Sequence, residues 1–183
     1  RTRETLERTS RCMATEVLLD TNYLLGWHRQ GDELHPKAKT VQKTLARARP
    51  LRIVLDCVYS ELIAVLARVR VKREGRPREF LKEERKLRDT YWNSLVPMAY
   101  VGGESLLKRA IDVSREAAEK HEAGISPHDA MILIYAHEHK IPLLISFDKD
   151  LKKVETIEGE ELEATILDDE NCEKLLNGMP GDE

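Results

Sequence analysis

Four acidic side chains occupy positions where a carboxylate is costly unless something uses it. Asp20 closes the apolar run of VLLDTNYLL, Val17 to Leu25, and Asp148 closes the run of LLISFDKD. An uncompensated carboxylate at such a place lies near the core. Glu61 falls in the helical series 58, 61, 62, 65 and 69, whose other members are Val58, Leu62, Val65 and Val69. Asp129 shares a helix face with Ile132, Leu133 and Ala136. Carboxylates brought together repel, and their pKa values rise unless cations neutralise them. Hard divalent cations with oxygen ligands do this best, which points to Mg2+ or Mn2+. Chemistry of that kind activates a water and stabilises the oxygens of an in-line displacement at a phosphodiester.

Each acid also has a plainer use. Asp20, Thr21 and Asn22 are all good helix N-caps. Asp129 is placed to meet a helix dipole. Glu61 can reach solvent at the edge of its stripe or pair with Arg68. Asp148 can cap a short helix in DKDLKKV, and Asp150 is its close rival for any metal role. Asp56 ends a strand-like run as well, but it directly precedes a helix and reads as a cap. The four acids gain meaning as a set only if the fold brings them together.

The elements that carry them argue that it does. Strands are expected near Glu16–Leu19, over LRIVLD, LVPMAYV and IPLLIS, and near Glu163–Leu167. Between them lie a helical turn after Asp20 and a helix from about Pro36 that turns Val41, Leu45 and Ala48 inward. Further helices cover VYSELIAVLARV, ESLLKRAIDVSREAAEKHEA and SPHDAMILIYAHEHK, the last opened by Ser126 as cap and Pro127 at the first position. Strands alternating with helices predict an α/β fold with a central parallel sheet between helical layers. Sites in such sheets gather outside the carboxyl ends of the strands. Asp20 and Asp148 follow two such ends, and the helices of Glu61 and Asp129 start from that same edge.

At 183 residues and 41% hydrophobic, the chain suits one domain with a full core. Cys12, Cys57 and Cys172 are odd in number and far apart, against a disulfide framework or a cysteine zinc site. No apolar run approaches the about eighteen residues of a membrane span, and no signal region opens the chain. A soluble, cytoplasmic protein without a membrane partner is expected. Residues 1–12 read as an N-terminal extension before a natural start at Met13-Ala14-Thr15. The domain is expected over 13–167, followed by an acidic C-terminal tail over 168–183. The net charge of −3 hides an asymmetry, because Glu155 to Glu183 holds eleven acids against Lys174 alone. The rest is basic, most densely from Arg68 to Arg88, with Arg68, Arg70, Lys72 and Arg73 at its start. Such a run is either a solvated helical face or an arm that contacts RNA phosphates without reading sequence.

Rival constellations fit less well. A haloacid dehalogenase-type phosphohydrolase needs a second Asp two residues after the first, where this chain has Asn22. His137-Glu138-His139 is not the H-E-x-x-H zinc pattern, and its two His do not share a helix face. His128 reads as a surface residue beside Asp129, and Gly102-Gly103 lacks the rest of a phosphate-cradling loop.

VLLDTNYLL, VYSELI and SPHDAMILIYAHEHKIPLLISFDKDLKKV together resemble a PIN domain, the metal-dependent nuclease fold of VapC-type toxins and RNA-processing endonucleases. The resemblance runs from about Val17 to Val154, in the family's order and spacing. It implies an α/β/α sandwich with Asp20, Glu61, Asp129 and Asp148 as catalytic, metal-binding acids on Mg2+ or Mn2+. It also implies Asn22 and Ser146 as supporting polar residues, Ser146 standing where the family often has Thr. The implied function is an endoribonuclease acting on RNA, either as the toxin of a toxin–antitoxin pair or in RNA processing. A toxin would have an antitoxin partner that sets a cation against the acids, and a homodimer is common in the family. Two departures are the longer segment between Glu61 and Asp129 and the longer, acidic end past Val154. A different class of reading is a non-catalytic RNA-binding or partner-binding module on the same fold.

Overall fold

The computed structural model describes residues 15–74, 85, 96–98 and 103–177. Strand β1 (Glu16–Leu19) places Val17, Leu18 and Leu19 all in the core, as a strand covered on both faces requires. It pairs in parallel with β2 (Leu51–Leu55) on one side and with β4 (Leu143–Ile145) on the other. Strand β3 (Val96–Met98) lies outside β2, and β7 (Thr165–Leu167) lies outside β4, giving the order β3-β2-β1-β4-β7. The chain therefore builds outward from β1 in one direction and then returns to build in the other. A short antiparallel hairpin, β5 (Thr156–Ile157) and β6 (Glu160–Glu161), stands apart from the sheet.

The helices are α1 (Thr21–His28), α2 (His35–Ala48), α3 (Asp56–Glu74), α4 (Gly103–His121), α5 (Pro127–Glu138) and α6 (Cys172–Asn177). Helices α1 and α2 pack on each other, α1 also meets α3, and α6 lies on α2, while α4 and α5 pack together. With the sheet between them, this is the three-layer α/β/α sandwich expected from the alternation of strands and helices. The inward stripe of α2 is Ala38, Val41, Thr44 and Leu45, and that of α4 is Leu106, Ala110, Val113 and Ala117. Helix α5 is buried almost all round, from Ile132 to Ala136. Gly26 lets α1 approach the start of α2, because a Cβ there would stand 3.0 Å from Leu34 Cβ and 3.3 Å from Ala38 Cβ.

Several boundaries differ from the sequence expectation. The turn after Asp20 is a helix of eight residues, and α3 begins at Asp56 rather than Val58. Asp56 Oδ1 accepts the Cys57 N–H at 2.8 Å, so Asp56 acts locally at the helix start. Strand β3 is described over Val96–Met98 of LVPMAYV, while the rest of that stretch and most of Lys72–Trp92 lie outside the described residues. Within the acidic stretch from 168, α6 buries Cys172 and Leu176 against the core. Two acids of that stretch face bases on α2, Asp169 with Lys37 and Glu173 with Arg47. The β5–β6 turn is held by Arg109 of α4, which binds both carboxylate oxygens of Glu158 at 2.8 Å and Glu138 of α5 at 2.6 Å.

Candidate active site

Reversal of strand order between β1 and β4 opens a crevice at their carboxyl ends. Asp20 sits in it. The sheet ladder still holds its backbone, with the N–H donating to Ile145 C=O at 3.0 Å, and only 2% of the residue is exposed. Ser146 is the corresponding residue of β4, fixed by its own N–H on Leu167 C=O at 3.0 Å. Its hydroxyl donates to Asp20 Oδ2 at 2.7 Å and accepts from Asn22 Nδ2 at 3.1 Å and from Asp148 N–H at 3.0 Å. Asn22 Oδ1 in turn accepts the Phe147 N–H at 2.9 Å. The two central strand ends are thus cross-linked by Ser146 and Asn22.

Thr21 binds the next acid. Its N–H donates to Asp20 Oδ1 at 2.6 Å, and its hydroxyl donates to Glu61 Oε2 at 2.9 Å. Glu61 is therefore turned toward α1 and not paired with Arg68. Asp129 occupies the first turn of α5 in a full capping box. Its Oδ2 accepts the Ser126 N–H at 2.9 Å and the Ser126 hydroxyl at 2.7 Å, while its own N–H reaches Ser126 Oγ at 3.2 Å. Burial lifts the Asp20 carboxyl to about 7, and the charges of Asp129 and Glu61 add to the rise against the lowering bonds from Ser146 and Thr21. Three acids from a strand end and two separate helices hence act on one small volume.

Asp148 is half-buried nearby, its Oδ1 accepting the Asp150 N–H at 2.8 Å. Asp150 looks elsewhere: its Oδ1 pairs with Lys153 Nζ at 2.5 Å and its Oδ2 accepts the Gly124 N–H at 3.2 Å. Lys153 holds the Asp150 carboxyl below the usual range. The short helix expected at DKDLKKV is a single 3-10 turn, Leu151–Lys153. Of the basic residues, Arg68 is exposed on α3, while the side chains of Arg70, Lys72 and Arg73 lie outside the described residues. His128 is exposed. His137 and His139 separate, one toward Glu160 at 3.1 Å and the other stacked on Tyr135.

Among the described residues no salt bridge reaches Asp20, Glu61, Asp129 or Asp148, and no three side chains stand as a ready-made metal cage. The donor chemistry nevertheless fits a hard divalent cation, because a buried Asp faces two more carboxylates with its charge unbalanced. The bonds to Thr21 and Ser126 engage Glu61 Oε2 and Asp129 Oδ2, which leaves the second oxygen of each carboxylate outside these bonds.

Two further residues at this sheet edge have partners that the sequence alone does not give, Thr21 in the site and Asp168 beside it. In sequence Thr21 is marked only as a cap, and its bond to Glu61 depends on how α1 meets α3. Asp168 ends β7 at the same sheet edge and is buried, bonded to Lys152 and to the N–H groups of Glu170 and Asn171. Burial opposes its ionisation, but Lys152 and those donors hold its carboxyl low. The signal was present: T-I-L-D repeats the apolar run ended by Asp seen in V-L-L-D and I-V-L-D.

The model of the PIN domain family matches residues 17–157. None of the curated proteins matches the chain. Among solved structures, the chain is similar to Mycobacterium tuberculosis VapC20, a sarcin-ricin loop cleaving toxin. The TM-score is 0.52 at 19% identity, covering 77% of this chain and 98% of that one. It is also similar to PAE2754 from Pyrobaculum aerophilum, with a TM-score of 0.53 at 19% identity over 91% of this chain and 98% of that one. At such identities the likeness shows the fold.

Proposed function

The chain belongs to the PIN domain family, whose members are nucleases, and from that premise we propose that it is a metal-dependent endoribonuclease using Asp20, Glu61, Asp129 and Asp148. One observation carries the reading: a buried carboxyl at the strand switch, raised to about 7 and faced by two further acids with no base beside them among the described residues. A structural carboxylate would be neutralised by a neighbouring cation, as Asp168 is by Lys152. A divalent ion, when bound, supplies the Lewis acidity that activates water and offsets charge developing on the phosphodiester.

The chain's own residues do the rest. Asp20 is the central donor, kept in place by the ladder and by Ser146. Thr21 keeps Glu61 within reach, and Asn22 with Ser146 holds the segment leading to Asp148 against β1. Asp129 enters from the start of α5, where its capping role makes the helix end rigid. The exposed Arg68 and the basic run beyond it would contact phosphates. Mg2+ and Mn2+ both suit the donor set. The substrate class is structured or single-stranded RNA, as supported by likeness in fold to VapC20. A toxin reading, with a protein antitoxin presenting a cation to the acids, is preferred to RNA processing. No helix of the described residues is long and apolar enough to cross a membrane, and we assign the protein to the cytoplasm.

The non-catalytic binding module is favoured by one observation, the capping box that gives Asp129 a complete structural use. Purified protein decides between them. Cleavage of RNA in Mg2+ or Mn2+ that disappears in chelator and in Asp20→Asn and Asp129→Asn supports the nuclease. Equal cleavage in chelator, or RNA binding without cleavage, refutes it. Controlled expression in a heterologous host tests the toxin role: growth arrest should be abolished by Asp20→Asn. Harmless expression of protein active on RNA in vitro favours processing.

A further inference from the structure

Two acid-bearing segments meet at a latch that the chemistry above leaves unused. Lys153 Nζ pairs with Asp150 Oδ1 at 2.5 Å and also donates to the Glu122 carbonyl at 3.2 Å. Asp150 Oδ2 accepts the Gly124 N–H at 3.2 Å. The approach is close, since a Cβ on Gly124 would stand 3.3 Å from that oxygen. Glu122 turns the chain out of α4 with φ of 51°, and Ala123 and Ile125 are buried on either side of Gly124. The strap from Glu122 to Ser126 then runs straight into the cap of α5, whose Ser126 holds the Asp129 carboxylate. On the other side, the Asp150 N–H holds Asp148 Oδ1 at 2.8 Å. Asp150 thus touches both the loop of Asp148 and the strap that delivers Asp129.

We propose that Asp150 and Lys153 are positioning residues that set the spacing between Asp148 and Asp129, and that Asp150 is not itself a metal donor. The proposal rests on the reading of these acids as a cation site. Both of its carboxylate oxygens are engaged, one by an ammonium and one by a backbone amide of the strap. An outer partner of this kind commonly changes metal affinity by about tenfold or more when removed. Surface ion pairs contribute little to stability, so variants at these exposed positions retain the fold.

The two roles for Asp150 predict opposite signs in one variant. Lys153 touches none of the four acids directly. If Asp150 were a ligand, Lys153→Met would free its carboxylate from a competing cation and Mn2+ would bind as tightly or more so. As a latch, Lys153→Met and Asp150→Ala each weaken Mn2+ binding by about tenfold, and the double variant is no worse than either alone. Mn2+ affinity is read by calorimetry on the full chain, with Asp20→Asn as the non-binding reference. Hydrogen exchange in chelator supplies the metal-free readout, and amides 122–126 should exchange faster in both variants. Unchanged exchange there, or Mn2+ affinity in Lys153→Met equal to or above wild type, overturns the latch. Wild type that binds Mn2+ no better than Asp20→Asn overturns the cation-site reading and the positioning role with it, whatever the exchange data show.

Discussion

Replacing Asp20 by Asn should abolish activity and at the same time stabilise the metal-free protein. The folded carboxyl stands at about 7, against 3.8 for the free side chain. That difference, near three units at about 1.4 kcal/mol each, costs the ionised fold about 4 kcal/mol above pH 7. The sign follows from the direction of the shift. A raised carboxyl favours the protonated fold, so metal-free wild type loses stability as pH climbs from about 4 to about 7. Asn does not titrate and fills the same space. It has one carbonyl oxygen where Asp20 accepts from both Ser146 and Thr21, so one bond worth about 1 kcal/mol is lost. At pH 5 these effects nearly cancel. At pH 8 the variant should be more stable by about 3 kcal/mol, or roughly 6–12 °C in Tm for a domain of this size. Thermal unfolding in chelator between pH 5 and 8 measures it. A variant melting at or below wild type at pH 8, or a gain independent of pH, would refute the reasoning.

Mn2+ should raise the Tm of wild type more at pH 8 than at pH 6, because a carboxyl near 7 is about a tenth ionised at the lower pH and apparent affinity falls roughly tenfold; equal shifts would show that Asp20 is not a ligand. Asp168→Ala removes a buried acid that accepts from Lys152, Glu170 and Asn171, and should cost about 2 kcal/mol, or roughly 4–8 °C, at neutral pH. Since its folded pKa is depressed, that gap should close as pH falls below about 4, which acid titration followed by circular dichroism can check. Gly26→Ala would ordinarily gain helix propensity, about 1 kcal/mol. Here the new methyl meets Leu34 Cβ at 3.0 Å, so overpacking should win and calorimetric Tm should fall by roughly 2–8 °C.

What was legible in the sequence follows one physical division. Burial on both faces leaves an unalternating apolar run, so β1 and the parallel sheet could be read directly, and Asp20 stood out because it ends such a run. Glu61 was visible as a carboxylate inside an apolar stripe. Asp129 could be seen at a helix start, but its two uses, cap and site acid, look the same in sequence. Thr21 could not be assigned, because its partner Glu61 lies forty residues away and the bond depends on the crossing of α1 and α3. Asp168 hid in an acidic stretch, since charge density there suggested solvent while β7 and α6 draw it into the structure. Asp150 and Asp148 are two residues apart, and only the position of the strap before α5 separates their surroundings.

The bond from Ser146 to Asp20 spans 126 residues of chain, and β1 is flanked on that side only by β4. A ribosome making this protein therefore releases Asp20 early and Ser146 late. Until residues 143–146 have emerged, the inner strand has an open edge and its acid lacks the hydroxyl that holds it. Non-local pairing of this kind is slow to form and comes at the end of folding. A nascent chain, and any fragment cut short before β4, therefore lacks the pairing and the hydroxyl that hold Asp20. If the acids act on RNA as proposed, drawing the site from two strands so far apart in the chain would spare the message and the ribosome while the protein is being made.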